Sequence, residues 1–424
     1  MSTLKPTSSF AWPDPEFLEV SLPIQGYATS VSLDGNQRIL IGFKPEEDFG
    51  VARLNSDGSV DASFGESGYL SDAFTDESGF ESLPESYLQI DDKILVTGAV
   101  YRSGNRTFYP AAARYNGDGS PDETFNETGK VVLSIIDPLG PVNVAVTATD
   151  KEAQKKHFAA RMKSASRLPL LRVEQRVVFH FYRYGVDGEL GASYLIALNS
   201  DGSLDENFNK TGFLKLLYKD KPMRVRALSQ QPDGKILLAA QVADDKSTAV
   251  IARINTDGLP DDSFASGGMY AFEDSGTIIN CIALTADEKI VTSGTRQQND
   301  TTALVIARLT PAGVPDEAFN KGLPVYHSLA DTDLIPLAVQ LDATGRIVVA
   351  GRSFQPRNST NRRGVLMRFD ESGGLDQASG LVINDEIGEW ADLVLPADGG
   401  LLVTGHSTFP EFDTPVVARY LTAV

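Results

Sequence analysis

The sequence predicts an all-β chain, a seven-bladed β-propeller with four-stranded blades, its ring closed by the N-terminal strand. Three observations predict it. A β-type motif recurs along the chain at a period near 55 to 60 residues. The motif occurs seven times. The piece missing from its last copy stands at the other end of the sequence.

The first recurring pattern is a tight turn followed by an apolar run. It reads "LDGNQRILIG" (33–42), "DDKILVTG" (91–98), "PDGKILLAA" (232–240), "ADEKIVTSG" (286–294), "ATGRIVVAG" (343–351) and "ADGGLLVTG" (397–405), with a weaker copy, "EQRVVFH", at 174–180. The second is a short strand ending in Arg, then a turn. Its anchors are Arg53, Arg114, Arg253, Arg308, Arg368 and Arg419, and Ala197 fills the remaining slot. Successive anchors lie 61, 83, 56, 55, 60 and 51 residues apart. Short β-branched runs separated by Asp-Gly turns specify strands, and each unit has room for four. In the first unit these are "YATSVSL" (27–33), "QRILIGF" (37–43), "GVARLN" (50–55) and "SGYLSDAF" (67–74), termed A to D. Radial repetition of such units closes a ring and protects sheet edges.

The last unit stops at "VVARYLTAV" (416–424), where its turn is due. "DPEFLEVSLP" (14–23) carries the same Asp-x-x-Phe step in Asp14 and Phe17, so the N-terminus is expected to supply the outer strand of the last blade. Residues 1–13 are expected to form a flexible tail and 14–424 a single propeller domain. An inserted helix is expected over about 147–166, "TATDKEAQKKHFAARMKSAS", where Thr149 and Glu152 form a capping box and Phe158, Met162 and Ala165 an apolar stripe.

The stretch "ARLNSDGSVDASFG" (52–65) has close copies at 113–126 and 252–265. Gly supplies the positive φ of a tight turn, and a carboxylate such as Asp61 caps backbone N–H groups at the corner. Phe64 is expected in the core between blades, and the recurrent Arg pairs with the second Asp. Calcium is the alternative for this oxygen-rich loop, yet calcium sites need six to eight oxygens, and only two carboxylates and an amide recur. No cofactor is expected. These residues resemble the delta-60 repeat, found in bacterial proteins and associated with a β-propeller. The resemblance covers roughly 14–424 and implies the fold but no activity. The chain departs from the repeat in the third unit and in the sixth, where Ser379 replaces Phe.

Composition narrows the function classes. The 424 residues include 38 Lys plus Arg against 57 Asp plus Glu, a formal charge of −19, which disfavours nucleic acid as a partner. Cys281 is the only cysteine, so neither an intrachain disulfide nor a multi-cysteine zinc site can form. No secretory leader and no run of 18 apolar residues stands in the sequence, so the expectation is a soluble, cytoplasmic monomer, with signal-less export left open.

The A–B and C–D turns are expected on one face, and the irregular B–C and D–A connections on the other, where binding usually resides. The connection read at 351–364, "GRSFQPRNSTNRRG", carries Arg352, Arg357, Arg362 and Arg363 with no acidic residue, a set suited to carboxylate or phosphate groups. His406 follows Gly405 at the head of another connection. Lys155, Lys156 and Arg161 lie on the polar face of the inserted helix. No metal-spaced His pair, nucleophile elbow or phosphate loop is present. The expected function is therefore non-catalytic: a binding or scaffold propeller that engages a protein partner through its irregular face. A hydrolase or lyase with its site at the channel mouth is the alternative. A glycan-binding propeller comes third, since only Trp12 and Trp390 are available as aromatic platforms.

Overall fold

A computed structural model describes residues 11–17, 20–45, 48–102, 107–133, 171–173, 176–183, 191–298, 300–356, 358–376, 380–407 and 413–422. They form seven antiparallel sheets, each the blade of a seven-bladed propeller. Blade 1 is built from Tyr27–Leu33, Ile39–Lys44, Phe49–Leu54 and Tyr69–Asp72. Blades 2 to 6 repeat the order, innermost strand first. Their innermost strands begin at Phe80, Leu171, Lys221, Thr277 and Asp333. Blade 7 stacks Ile387–Val394, Gly400–Ser407 and Thr414–Thr422.

The N-terminus completes blade 7 as expected, with one adjustment. Val20–Ser21 pairs with the last strand as its outer neighbour, but so does Ala11–Pro13, which the sequence left in the tail. The repeat explains why. In blade 1, Val60 bridges Leu54 just before Asp61 bonds back to the Arg53 carbonyl. Pro13 and Asp14 occupy the same steps against Tyr420 and Arg419. The polypeptide is cut inside the repeat and its register is kept across the cut.

The core lies between neighbouring sheets. Phe64, Phe125, Phe208, Phe264 and Phe319 are fully buried, one at each of five joints. Each slides under the turn glycine of the following blade. A Cβ on Gly119, at φ +91°, would stand 3.2 Å from the Phe64 ring, and the same contact recurs for Gly202 on Phe125 and Gly258 on Phe208. Phe17 meets Gly58 in this way and closes the ring. Burial of a Phe side chain contributes about 1.5–3 kcal/mol, and any side chain at the glycine would wedge the blades apart.

The recurrent Arg ties the same joint. Arg53 Nε donates to Asp61 at 2.8 Å, and the pair recurs as Arg114–Asp122, Arg253–Asp261 and Arg308–Asp316, each at 2.7 Å. Each guanidinium also reaches a carbonyl in the next blade's turn: Arg114 to Ser200 at 2.5 Å, Arg253 to Pro311 at 2.7 Å and Arg308 to Glu371 at 2.9 Å. The second carboxylate accepts further bonds, Asp61 Oδ1 from the Ser63 N–H and hydroxyl. With both Asp61 oxygens committed to Arg, Ser and backbone donors, the corner acts as a structural stitch between blades.

A third regularity was invisible in the sequence. The innermost strands of blades 1, 2, 4, 5, 6 and 7 carry a β-bulge, with Thr29, Glu85, Arg226, Asn280, Leu337 and Ala391 as the extra residues. In blades 2, 5, 6 and 7 the bulge pushes a carbonyl against the second strand and accounts for that strand's glycine. A Cβ on Gly405 would stand 1.9 Å from the Glu389 carbonyl oxygen, and one on Gly98 2.1 Å from that of Leu83.

Candidate functional site

The structure revises the arginine-rich connection. Residues Ile347–Gln355 and Asn358–Phe369 are long antiparallel strands paired as far as Gln355 with Asn358, so the described residues of 351–364 are the two arms of a strand pair. β-branched and aromatic residues on both arms favour extension. Arg352 therefore lies inside a strand and is only 7% exposed. It is not a solvent-facing ligand but an ion-pair partner, its Nη1 2.5 Å from Glu389 Oε2. Arg363 Nη1 lies 3.4 Å from Asp385 Oδ1 at the rim. The carboxylates that meet these arginines come from outside the segment, Glu389 from blade 7 and Asp385 from the connection leading to it.

His406 is likewise not at a loop entrance. It ends a paired strand and is 2% exposed. Its Nδ1 lies 3.8 Å from Glu389 and its Nε2 3.8 Å from Asp413, beyond hydrogen-bond length. Tyr27, from the innermost strand of blade 1, donates its hydroxyl to Asp413 and sets its ring edge-on to His406 at 5.0 Å. Blades 6, 7 and 1 thus bring together Arg352, Arg362, Glu389, His406, Asp413 and Tyr27. Three of the sequence-predicted residues meet there. Glu389, Asp413 and Tyr27 were missed because nothing in their local spacing marks them. Arg357 and the helix residues Lys155, Lys156 and Arg161 lie outside the described residues, as does the inserted helix itself.

The electrostatics of this seam follow from burial. Burial lowers the His406 pKa, Glu389 and Asp413 oppose the shift, and Arg362 and Arg352 add to it, so the imidazole favours its neutral form. Burial and the bond to Asp413 push the Tyr27 phenol well up, which keeps it a donor. Arg362 is half-buried, and burial followed by Arg352 makes its charge less favourable, while Glu389 and Asp413 partly restore it. Two guanidinium groups are crowded at one edge of the site.

Among the described residues, no group of three or more His, Cys, Asp or Glu is arranged to hold a metal ion. Among the described residues, no helix is long and apolar enough to cross a membrane. Trp390 is fully buried against Tyr420, so it provides no platform for a sugar ring.

Four stretches match a β-propeller repeat family. Residues 43–64, 89–125, 231–264 and 285–319 fit the model described as a domain of unknown function (DUF5122) β-propeller. All four end at or beside the Asp-x-x-Phe corner, which is the part of the repeat that stitches one blade to the next. No curated protein matches the sequence. Among solved structures, a protein of unknown function from Dyadobacter fermentans DSM 18053 is similar at 12% identity and TM-score 0.48, covering 97% of this chain and 100% of that one. The polysaccharide lyase Uly1 is similar at 9% identity and TM-score 0.47, covering 100% and 94%. Prolyl oligopeptidase B from Galerina marginata is similar at 10% identity and TM-score 0.47, and this chain spans 49% of its length.

Proposed function

We propose that this delta-60-like propeller is a binding module that engages an acidic segment of a protein partner through the seam of blades 6, 7 and 1. The supporting observation is the crowding of Arg352 and Arg362 beside Glu389 and Asp413 at the seam. A partner carboxylate placed beside Arg362 relieves that crowding, and Arg363 at the rim extends the attraction outward. The rigid ring fixes these side chains, so little ordering entropy is spent on association. The overall charge of −19 repels acidic surfaces at long range, which makes the local arginines a device for selectivity.

The test is affinity capture with the full chain from native lysate, comparing wild type with Arg362→Glu/Arg363→Glu. Arg352 is left intact because its partner is buried. A protein retained by wild type and lost by the variant supports the reading. Identical captured sets, or none from either, overturn it, and attention then passes to a small-molecule or enzymatic role for the channel mouth.

A further inference from the structure

We infer that a groove between blades 4 and 5 is a binding site for an organic cation, an ammonium or guanidinium group carried on a short apolar stem. The groove has a volume of about 520 Å³ and is lined by Gln230, Gln231 and Pro232 from blade 4 and by Leu284, Thr285 and Glu288 from blade 5. These residues sit at the turns that join the innermost strands, Lys221–Gln230 and Thr277–Leu284, to the second strands, Ile236–Val242 and Ile290–Gln298. The groove therefore lies at the far end of the strands from the seam. Its volume suits a small ligand or a single side chain.

One wall is polar and fixed. Gln231 is 4% exposed, and its turn is closed by the Gln231 N–H on the Lys235 carbonyl and the Gly234 N–H on the Gln231 carbonyl, both at 2.9 Å. Gln231 Oε1 accepts from Arg253 Nη1, of the stitching arginine, at 3.4 Å. Its Nε2 is thereby turned to Glu288 Oε2, to which it donates at 3.4 Å. A neutral donor at that length orients the carboxylate without neutralising it. The neighbouring lysines are engaged elsewhere: Lys235 Nζ lies 2.9 Å from Asp261 Oδ2, and Lys289 Nζ lies 3.1 Å from Asp287 Oδ2. Among the described residues, Glu288 has no cationic partner and the Gln230 carboxamide has no hydrogen-bond partner.

The backbone at Glu288 is a second, independent observation. Its φ is +61°, and blades 4, 6 and 7 fill the same turn position with Gly234, Gly345 and Gly399, at φ +85°, +86° and +84°. Blade 1 has Gln37 there at φ +62°, but as an exposed residue, whereas Glu288 is half-buried against the groove. A carboxylate kept where glycine is favoured carries backbone strain, and such strain gathers at ligand sites. The matching chemistry is a cation whose charge meets Glu288, whose N–H groups reach the Gln230 oxygen and whose stem lies along Leu284 and Pro232. The charge of −19 raises the local concentration of such a cation.

Calorimetry on the full chain at low ionic strength tests this with n-butylammonium, n-butylguanidinium, N-butylurea and guanidinium. The two butyl cations should bind. The urea, which lacks charge, and guanidinium, which lacks a stem, should bind about tenfold more weakly or worse. The peptide Ac-Gly-Arg-Gly-NH2 separates two sources of the same chemistry. Binding as tight as that of n-butylguanidinium assigns the groove to a side chain of a basic peptide, and weaker binding assigns it to a free amine or guanidine. Glu288→Gly installs the glycine that three other blades use, so it should melt no lower than wild type and yet lose both butyl cations. Glu288→Gln, which keeps the side chain's shape, should lose them likewise, and Gln230→Ala should weaken them. Asp57→Asn, which removes an exposed carboxylate from a turn of blade 1, should change nothing. The inference is overturned if neither butyl cation binds, if N-butylurea binds as well as n-butylguanidinium, if both Glu288 variants bind like wild type, or if Asp57→Asn weakens binding as much as they do.

Discussion

Arg176 Nε lies 2.8 Å from Asp205 Oδ2, and Arg176 Nη1 reaches the Thr256 carbonyl in the next blade at 2.7 Å. In the other stitched blades both bonds come from the third strand, but blade 3 has Ala197 there. Arg176 enters from the second strand, at the position where Lys93, Lys235 and Lys289 stand as auxiliary partners of Asp122, Asp261 and Asp316. One residue has taken over the work of two. Arg176→Ala should cost about 1.5–3 kcal/mol, as expected for a charge-assisted bond whose partner is left buried. Lys93→Ala, with Arg114 still in place, should cost less than ~1 kcal/mol. Denaturant midpoints at constant slope compare them, and equal losses would show that Arg176 is only auxiliary.

The joints make a second prediction. Gly202→Ala puts a Cβ 3.2 Å from the Phe125 ring at φ +87°, so it carries both a wedge and a backbone penalty. A loss of about 1–3 kcal/mol is expected. Gly79→Ala, at φ +86° with open space around it, isolates the backbone part and should cost less. Thermal unfolding of the two variants separates the contributions.

Acid should open the ring. Hydrogen bonds from Ser63, then Arg53, hold the Asp61 carboxyl below its usual range. Burial pushes Asp122 up, but Thr124 and Arg114 outweigh it and bring it to about 2. A carboxyl depressed in the folded state binds its proton first when unfolded. Its stabilisation is complete above the unfolded value near 4 and is lost as pH falls from there toward about 2. Melting temperature should be level above about pH 5 and drop steeply below 4. Asp122→Asn should flatten that drop while lowering the neutral-pH plateau.

Cys281 offers a silent reporter. Burial raises its thiol to about 12, with Ser293 opposing weakly, so the native protein should not react with a disulfide reagent at pH 8. Unfolding should expose one equivalent, since no other cysteine exists. Prompt labelling of the native chain would mean that blades 5 and 6 part readily.

At the seam, Glu389→Leu removes the ion-pair partner of buried Arg352 and should cost about 3 kcal/mol. Adding Arg352→Met removes the buried charge whose ion pair was lost and should recover most of the loss, as a double-mutant cycle would measure.

The sequence by itself determined the blade count, the strand order and the closure by the N-terminus, because turn chemistry and two-residue alternation act over a few neighbouring positions. The Arg–Asp corner was legible for the same reason, its partners lying eight residues apart. Ring closure decided the rest. It brings the Val31 N–H to the Asp392 carboxylate, 361 positions away, and sets Tyr27 beside His406. It also packs the Arg352 strand against blade 7, where Glu389 pairs with an arginine that had read as part of an exposed loop. Local pattern records which strand forms and which way it faces. Burial, and the partner across a joint, depend on which blade the ring places next.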